Sequence, residues 1–354
     1  MKREIAKILV RGTNWIGDSV ITLPALRELR RALPGAHLAL LVKPWVADLF
    51  AGADFLDEVI PYDRGPGIAE FLRFARTLRA RDFDAAILLQ NAFEAAALAV
   101  AARIPVRIGF PTDGRRLLLT HPLRAGRPVR HTNQMYGYLN IAAQAEELLT
   151  GGSRVDFLRP QYRLEADPGQ KERMRRRLRE ARWRPGQKIV AVNPGATNNP
   201  LKRWPAERFA LLADRLSGEA GCTVVLIGGA SEEAIADDVL GRMRKSAVKL
   251  TGRTSLRESV ALLELSDLVV SNDTGPAYVA AALDRPTLTI FGPTDCWAIC
   301  PTSPTVVIVC EPVPCAPCRV RRCPENHACM RRITVDRVYE TALGMLEAGR
   351  PPAR

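Results

Sequence analysis

The chain has 354 residues, 47% of them apolar, and a net charge of +13. That length exceeds a typical single domain, so two domains are the default, and the apolar content with modest Gly and Pro excludes a disordered or fibrous chain. The basic excess points to anionic partners; with no zinc finger, RNA-recognition motif or aromatic stacking platform, it favours an anionic lipid surface and argues against nucleic acid.

From the amino terminus, residues 1–10 run almost directly into a strand, with no apolar signal-peptide core. The next signals are a turn from Arg11 to Asp18 and a helical pattern over 20–33 that stops at Pro34-Gly35. Strands are predicted at 37–42, 58–62 and 84–90, helices near 45–51, 68–81 and 93–102, and short edge strands at 107–110 and 117–120. The longest apolar-rich stretch, 85–102, is broken by Gln90, Asn91 and Glu94, so no membrane span is expected. A helix over 133–149 ends at Gly151-Gly152.

A polar, Pro-containing stretch over 151–186 separates two regular halves. It holds a possible crossing segment at 157–164 and a basic run at 171–184, in which Met174, Leu178 and Ala181 supply a narrow apolar stripe. The rest of the basic excess is scattered over 103–130. Beyond the separator come strands at 188–193, 223–228, 247–250, 268–271 and 287–291. Helices fall at 205–217, 232–243, 276–283 and 335–348, and Ser255 with Glu258 forms a capping box before a helix to Leu265. Strands alternating with helices imply parallel sheets with right-handed crossovers. The reading is an α/β chain of two halves with a cleft between them, divided into domains 1–160 and 161–354.

Two segments carry the chemistry. They are Asn193-Pro-Gly-Ala-Thr-Asn-Asn-Pro-Leu-Lys-Arg-Trp-Pro205 and Ser271-Asn-Asp-Thr-Gly-Pro-Ala-Tyr-Val-Ala-Ala-Ala-Leu283. Each follows an apolar strand and leads into a helix, which places it at the carboxyl edge of a parallel sheet, where ligands bind. Helix starts with free N–H groups attract anions. Lys202 adds a cation, and Thr274 with Gly275 adds a hydroxyl and room for close backbone approach. One such segment reads equally well as a helix cap and a tight turn; the pair reads as a diphosphate cradle. In the first half, Asp18 sits at a helix start where a carboxylate either caps the helix or accepts a proton from an attacking hydroxyl.

Seven of the eight cysteines lie between Cys296 and Cys329. Cys315, Cys318, Cys323 and Cys329, with His327 in the last gap, have a spacing that suits zinc or iron. Disulfides are disfavoured in a cytoplasmic chain, and a reduced, metal-free cluster stays open.

In order, Gly17-Asp18 with Leu23-Pro24-Ala25-Leu26, Pro194-Gly195-Ala196 with Lys202-Arg203-Trp204-Pro205, Asn272-Asp273-Thr274-Gly275, and Phe291-Gly292-Pro293-Thr294-Asp295 resemble the motifs of glycosyltransferase family 9. These are the ADP-heptose:lipopolysaccharide heptosyltransferases. The Cys-rich segment ending in Cys329-Met330 is similar to that of the second heptosyltransferase type. The resemblance implies a GT-B fold: two Rossmann-like doubly wound parallel-sheet domains facing across a cleft, the first for the acceptor and the second for the sugar nucleotide.

It also implies metal-independent, inverting transfer of heptose from ADP-heptose to the lipopolysaccharide core, at the cytoplasmic face of the inner membrane. Asp18 then becomes the catalytic base. Lys202 and the turn Asp273, Thr274, Gly275 hold the diphosphate and adjoining sugar, and Thr197 lies near a phosphate. Glu232 approaches the ribose and Thr254 the adenine. Many members place His three residues after the motif glycine. Here Tyr278 stands there, able to donate a hydrogen bond but not to carry charge. Two other readings remain: a family member with a different donor or acceptor, and a non-catalytic nucleotide- or lipid-binding protein.

Overall fold

The structure is a computed structural model describing residues 5–124, 133–181, 183–318, 320 and 322–349. Residues 125–130 of the scattered basic stretch, and Arg182 of the basic run, lie outside the described residues. The chain divides into two compact units, Met1–Tyr162 and Arg163–Arg354.

The first unit holds strands β1 (Lys7–Arg11), β2 (His37–Val42), β3 (Glu58–Pro61), β4 (Ala85–Leu88), β5 (Val106–Gly109) and β6 (His121–Pro122). Its helices are α1 (Ile16–Ile21), α2 (Leu23–Ala32), α3 (Pro44–Ala47), α4 (Ile68–Arg79), α5 (Phe93–Ala101) and α6 (Gln134–Thr150). The second unit holds β7 (Ile189–Asn193), β8 (Thr223–Leu226), β9 (Val248–Lys249), β10 (Leu268–Asn272), β11 (Thr287–Phe291) and β12 (Val306–Cys310). Its helices are α7 (Pro168–Glu180), α8 (Ala206–Gly218), α9 (Glu233–Arg242), α10 (Leu256–Leu265), α11 (Gly275–Ala282), α12 (Cys296–Ile299), α13 (Ala328–Arg331) and α14 (Val335–Ala348).

Each unit is built on one six-stranded sheet, ordered β3-β2-β1-β4-β5-β6 and β12-β11-β10-β7-β8-β9. Every pairing is parallel. Read from its other end, the second order repeats the first: both are the doubly wound Rossmann order, which reverses direction between the first and fourth strands. The central strands are near-continuous apolar runs, as burial on both faces requires; Ile8, Leu9 and Val10, like Val190, Ala191 and Val192, are almost wholly buried.

No residue-level repeat relates the halves, yet one device recurs. Asp84, just before β4, accepts hydrogen bonds through Oδ2 from the amides of Ala6 (3.0 Å) and Lys7 (2.9 Å), where β1 begins. Asp267, just before β10, accepts one from Ile189 (2.7 Å), where β7 begins. In both sheets a carboxylate on the fourth strand pins the start of the first, satisfying amides the ladder leaves over.

Several expected elements differ in detail. The helix expected over 20–33 is broken at Thr22, whose hydroxyl donates to the Ser19 carbonyl at 2.7 Å, while Pro24 lies in the first turn of α2. The edge strand expected at 117–120 is a 3-10 turn at Arg116–Leu118 followed by the two-residue β6. The helix near 45–51 shortens to α3 and a 3-10 turn at Asp48–Phe50. Residues 157–164 carry no regular structure and contain the boundary between the units. Inside the polar separator, α7 starts where Asp167 Oδ1 caps the Gln170 amide at 2.7 Å and buries Met174 and Leu178. β12 was not anticipated, because its apolar run falls among the cysteines. Gly151, in the left-handed conformation, ends α6 as expected. Among the described residues, no helix is long and apolar enough to cross a membrane.

Replacing Asp84 by Ala leaves the first amides of β1 without their acceptor in a site where Asp84 is only 6% exposed. The expected cost is about 1–3 kcal/mol, read as a lower midpoint of chemical denaturation.

Candidate functional site

The two segments singled out in the sequence follow β7 and β10, the strands that flank the second sheet's point of reversal. Buried asparagines at the ends of these strands tie them together. Asn193 Nδ2 donates to Thr274 Oγ1 (2.7 Å) and Ser271 Oγ (3.3 Å). Asn272, fully buried, donates through Nδ2 to the carbonyls of Pro194 (3.0 Å) and Gly195 (3.1 Å), and its Oδ1 accepts from the Trp204 amide (3.0 Å). Trp204 belongs to the core: its indole donates to the Ile333 carbonyl at 3.0 Å, and its ring stands edge-on to Phe209.

The centre of the cradle is the buried carboxylate of Asp273. Its Oδ2 accepts from Lys202 Nζ at 2.7 Å and Thr294 Oγ1 at 2.8 Å. Its Oδ1 faces the Tyr278 hydroxyl at 2.8 Å, whose single proton also faces the Ile299 carbonyl at 2.5 Å. Lys202, at the end of a 3-10 turn, keeps 23% of its side chain exposed while Asp273 keeps 2%. A partly exposed ammonium anchored on a buried carboxylate is suited to meeting a second anion from the open side.

This arrangement changes two expectations. Tyr278 does not present its hydroxyl to a ligand; it is 5% exposed, and its reach into the site runs through Asp273. Thr274 occupies the N-cap position of α11, but neither it nor Asp273 makes a side-chain cap bond to the helix. Among the described residues, the start of α11 at Gly275 therefore has no side-chain acceptor.

Glu232, 7% exposed, sits beneath the cradle. Its Oε1 accepts from Thr197 Oγ1 (3.1 Å) and its Oε2 from the Gly229 amide (3.0 Å). A Cβ built on Gly195 would stand 2.2 Å from Oε1, so glycine is required there by the close approach of this carboxylate. Thr254 shares a 2.8 Å hydrogen bond with Ser259, beside the Ser255–Glu258 capping box of α10. A depression lined by Trp183, Gln187, Lys188 and Asp267 lies at the opposite, amino-terminal edge of this sheet, away from these groups.

In the first unit, Asp18 is the third residue of α1, whose N-cap is Trp15, so its carboxylate is not the cap that position in the sequence allowed. It is partly exposed, and its charge, after burial, helps push the Tyr138 phenol of α6 above its ordinary range. The loop before it is fixed by Arg11, whose guanidinium donates to the carbonyls of Gly12 (2.6 Å) and Leu41 (3.1 Å) and to Asn14 Oδ1 (2.8 Å). Thr13 and Ser19 share a 2.7 Å hydrogen bond across the turn.

The four cysteines differ in burial. Cys315 is exposed, Cys318 and Cys323 half-buried and Cys329 buried. Burial, with charge contributions from the other three, pushes the Cys329 thiol up. Among the described residues, no three His, Cys, Asp or Glu side chains stand together as ion ligands. The segment buttresses the cradle instead. The Cys318 amide donates to the Pro293 carbonyl at 2.7 Å, and a Cβ on Gly292 would collide with Met330 Sδ at 2.3 Å, next to the turn that delivers Thr294 to Asp273.

Sequence reasoning assigned no role to Thr294, Asn193 or Asn272. The asparagines left a signal: each is a polar residue closing a buried apolar strand. Thr294 had none beyond membership of a motif.

Lys202→Ala is expected to weaken ADP binding by about 2–4 kcal/mol if the ammonium meets diphosphate charge. It also strands the Asp273 carboxylate, so the melting temperature falls with it, unlike the intact fold that an isolated surface lysine would leave. Calorimetric titration with ADP, alongside thermal melting, reads both; unchanged ADP affinity removes Lys202 from the cradle.

Residues 71–329 match the family description Glycosyltransferase family 9 (heptosyltransferase). The chain is 31% identical over 305 residues to lipopolysaccharide heptosyltransferase 2 of Salmonella typhimurium, covering 82% of this chain and 83% of that protein. The solved structure of ADP-heptose lipopolysaccharide heptosyltransferase II of E. coli superposes with a TM-score of 0.80 at 25% identity, over 97% of this chain and 99% of that one. An E. coli heptosyltransferase solved with ADP shares the fold with a TM-score of 0.70 at 23% identity, over 96% and 99% of the two chains. Two doubly wound parallel-sheet domains, an ammonium-bearing cradle on the second and agreement over most of the chain lead to one assignment: the protein belongs to glycosyltransferase family 9, the heptosyltransferases, with a GT-B-like fold.

Proposed function

We propose that this enzyme transfers heptose from ADP-heptose to the inner core of lipopolysaccharide, inverting the anomeric centre. The observation that carries the reading is the Lys202–Asp273 pair at the start of α11, a fixed cation beside uncapped helix amides. Leaving-group charge develops on a diphosphate, and such a cradle stabilises it without a metal. On this reading the second domain, 161–354, binds the sugar nucleotide. Lys202, Thr274 and Gly275 meet the diphosphate, Thr197 lies near a phosphate, Glu232 approaches the ribose, and Thr254 lies toward the base. Asp273 and Tyr278 hold Lys202 in place. The first domain, 1–160, binds the acceptor, and Asp18 takes the proton of its attacking hydroxyl.

A peripheral position at the cytoplasmic face of the inner membrane accompanies this reading. It is supported by the +13 net charge and by exposed Arg173, Arg176 and Arg179 on α7. A donor-hydrolysis and transfer assay across ADP-, GDP- and UDP-sugars tests the donor. Turnover restricted to ADP-heptose supports the proposal, and preference for another sugar nucleotide replaces it with a different family activity.

Structural zinc or iron at Cys315, Cys318, Cys323 and Cys329 is proposed only on their spacing and shared neighbourhood; no step of the reaction uses it. Protein purified under reducing, chelator-free conditions should then carry about one metal ion per chain, lost on replacing any two of the four. A metal-free preparation removes the proposal.

Asp18→Asn is expected to lower turnover by about 10²–10⁴-fold by removing the base. ADP affinity should stay at the wild-type level. Because Asp18 is in the first turn of α1 and not its cap, the stability change should be only about 0.3–1 kcal/mol, the favourable charge at a helix start. Turnover within tenfold of wild type, with a clearly lower melting temperature, would place the base elsewhere.

A further inference from the structure

At the carboxyl edge of the first sheet, three cations surround one aromatic ring. Lys43 Nζ lies 4.6 Å from the ring centroid of Tyr62, the Arg11 guanidinium 4.9 Å and the Arg64 guanidinium 5.9 Å. They come from the end of β1, the residue after β2 and the loop after β3, so the parallel topology itself collects them. Their compensation is unequal. Arg64 pairs with Glu94 at 2.6 Å. Arg11, 3% exposed, is hydrogen-bonded to two carbonyls and the Asn14 amide oxygen, all neutral. Lys43 makes cation–π contacts with Tyr62 and with Trp45 (5.8 Å), and has no ion pair or hydrogen bond to a side-chain acceptor among the described residues.

Among the described residues, Glu94 is therefore the one carboxylate in direct contact with these cations, with Asp63 further out in electrostatic range. Burial, then the charges of Arg11 and Arg64, lowers Lys43 from its ordinary value, and burial pulls Arg11 down to about 10. Cations in such a setting gain most from an anion that arrives with its own charge. The cluster is also tied to the loop that carries Asp18. Trp45 Nε1 donates to the Asn14 carbonyl at 2.9 Å, and Asn14 Oδ1 accepts from Arg11. Trp15 and Trp45 expose 49% and 52% of their surface beside it, flat faces of the kind on which sugar rings pack.

We propose that Lys43, backed by Arg11 and flanked by Trp45, binds an oxyanion of the acceptor sugar, a phosphate or a carboxylate, and so orients that sugar toward Asp18. The inference rests on Asp18 being the acceptor-side base and deepens that reading by naming the acceptor group recognised.

The test is calorimetric binding of three acceptor forms to the full-length enzyme without donor: the native core acceptor, its dephosphorylated form and its carboxyl-esterified form. The wild type should bind one modified form at least tenfold more weakly than the native one, and which form loses affinity tells phosphate from carboxylate. Lys43→Gln should bind the native form as weakly and no longer distinguish the forms, with ADP affinity and melting temperature unchanged; Lys43→Arg should restore the discrimination. Equal binding of all three forms by the wild type, or undiminished discrimination in Lys43→Gln, overturns the proposal. Turnover of the wild type with ADP-heptose is scored separately, so a failed donor assignment is not confused with a failed anion site.

Discussion

The buried carboxylate of Asp273 is the constraint on which the second domain's ligand-side loops depend. Three donors from three separate segments converge on it: Lys202 from the turn after β7, Tyr278 from α11 and Thr294 from the turn after β11. A carboxylate this deep is costly unless its lone pairs are satisfied and its charge is met. That cost is what fixes the loops: any arrangement that lets one donor drift leaves charge uncovered. The two asparagines act one layer below, holding the chain after β7 against the end of β10 so that Lys202 and Asp273 meet at all.

Seen this way, the tyrosine at position 278 is intelligible in physical terms. The position serves Asp273 directly and a ligand only at one remove. A phenol can donate one hydrogen bond to the carboxylate without adding a positive charge that would compete with Lys202 for it. The Cys-rich segment has a comparable indirect part. Met330 and Cys329 pack on Gly292, and the Cys318 amide is bonded to Pro293, so the turn that supplies Thr294 is held from behind. Whether or not the thiols bind metal, their segment belongs to the support of the cradle.

The two domains show how one topology tolerates unrelated sequences. Both sheets use the same strand order, and both pin their first strand with an aspartate at the start of the fourth. What differs is the chemistry presented at the carboxyl edge. The second domain offers a cation anchored on a carboxylate with helix amides beside it. The first offers a carboxylate, Asp18, near a group of cations with few counter-charges. The scaffold is common; the loops at the carboxyl edge carry the distinction, as that edge of a doubly wound sheet is where ligands bind.

Alternating apolar strands and amphipathic helices were enough to establish an α/β chain of two parallel-sheet halves, because burial of a parallel sheet on both faces leaves an unmistakable apolar run for each central strand. The ordered motifs around Asp18, Lys202 and Asp273 were enough to place the chain in its family. Local sequence also determined the cap at Ser255 and the stop at Gly151, since these depend on residues only a few positions apart. Short edge elements such as β6 and β12 were not legible, being two or five residues whose pairing is decided by the neighbouring strand. Nor was the work of individual site residues. That Tyr278 turns inward, that Thr294 completes the Asp273 carboxylate and that Arg11, Lys43 and Arg64 share one ring depend on atoms of residues up to 51 positions apart in the chain, as the numbering shows. Hydrogen bonds and charge pairs act over a few ångströms, so only the folded chain decides which donors and acceptors come within that range.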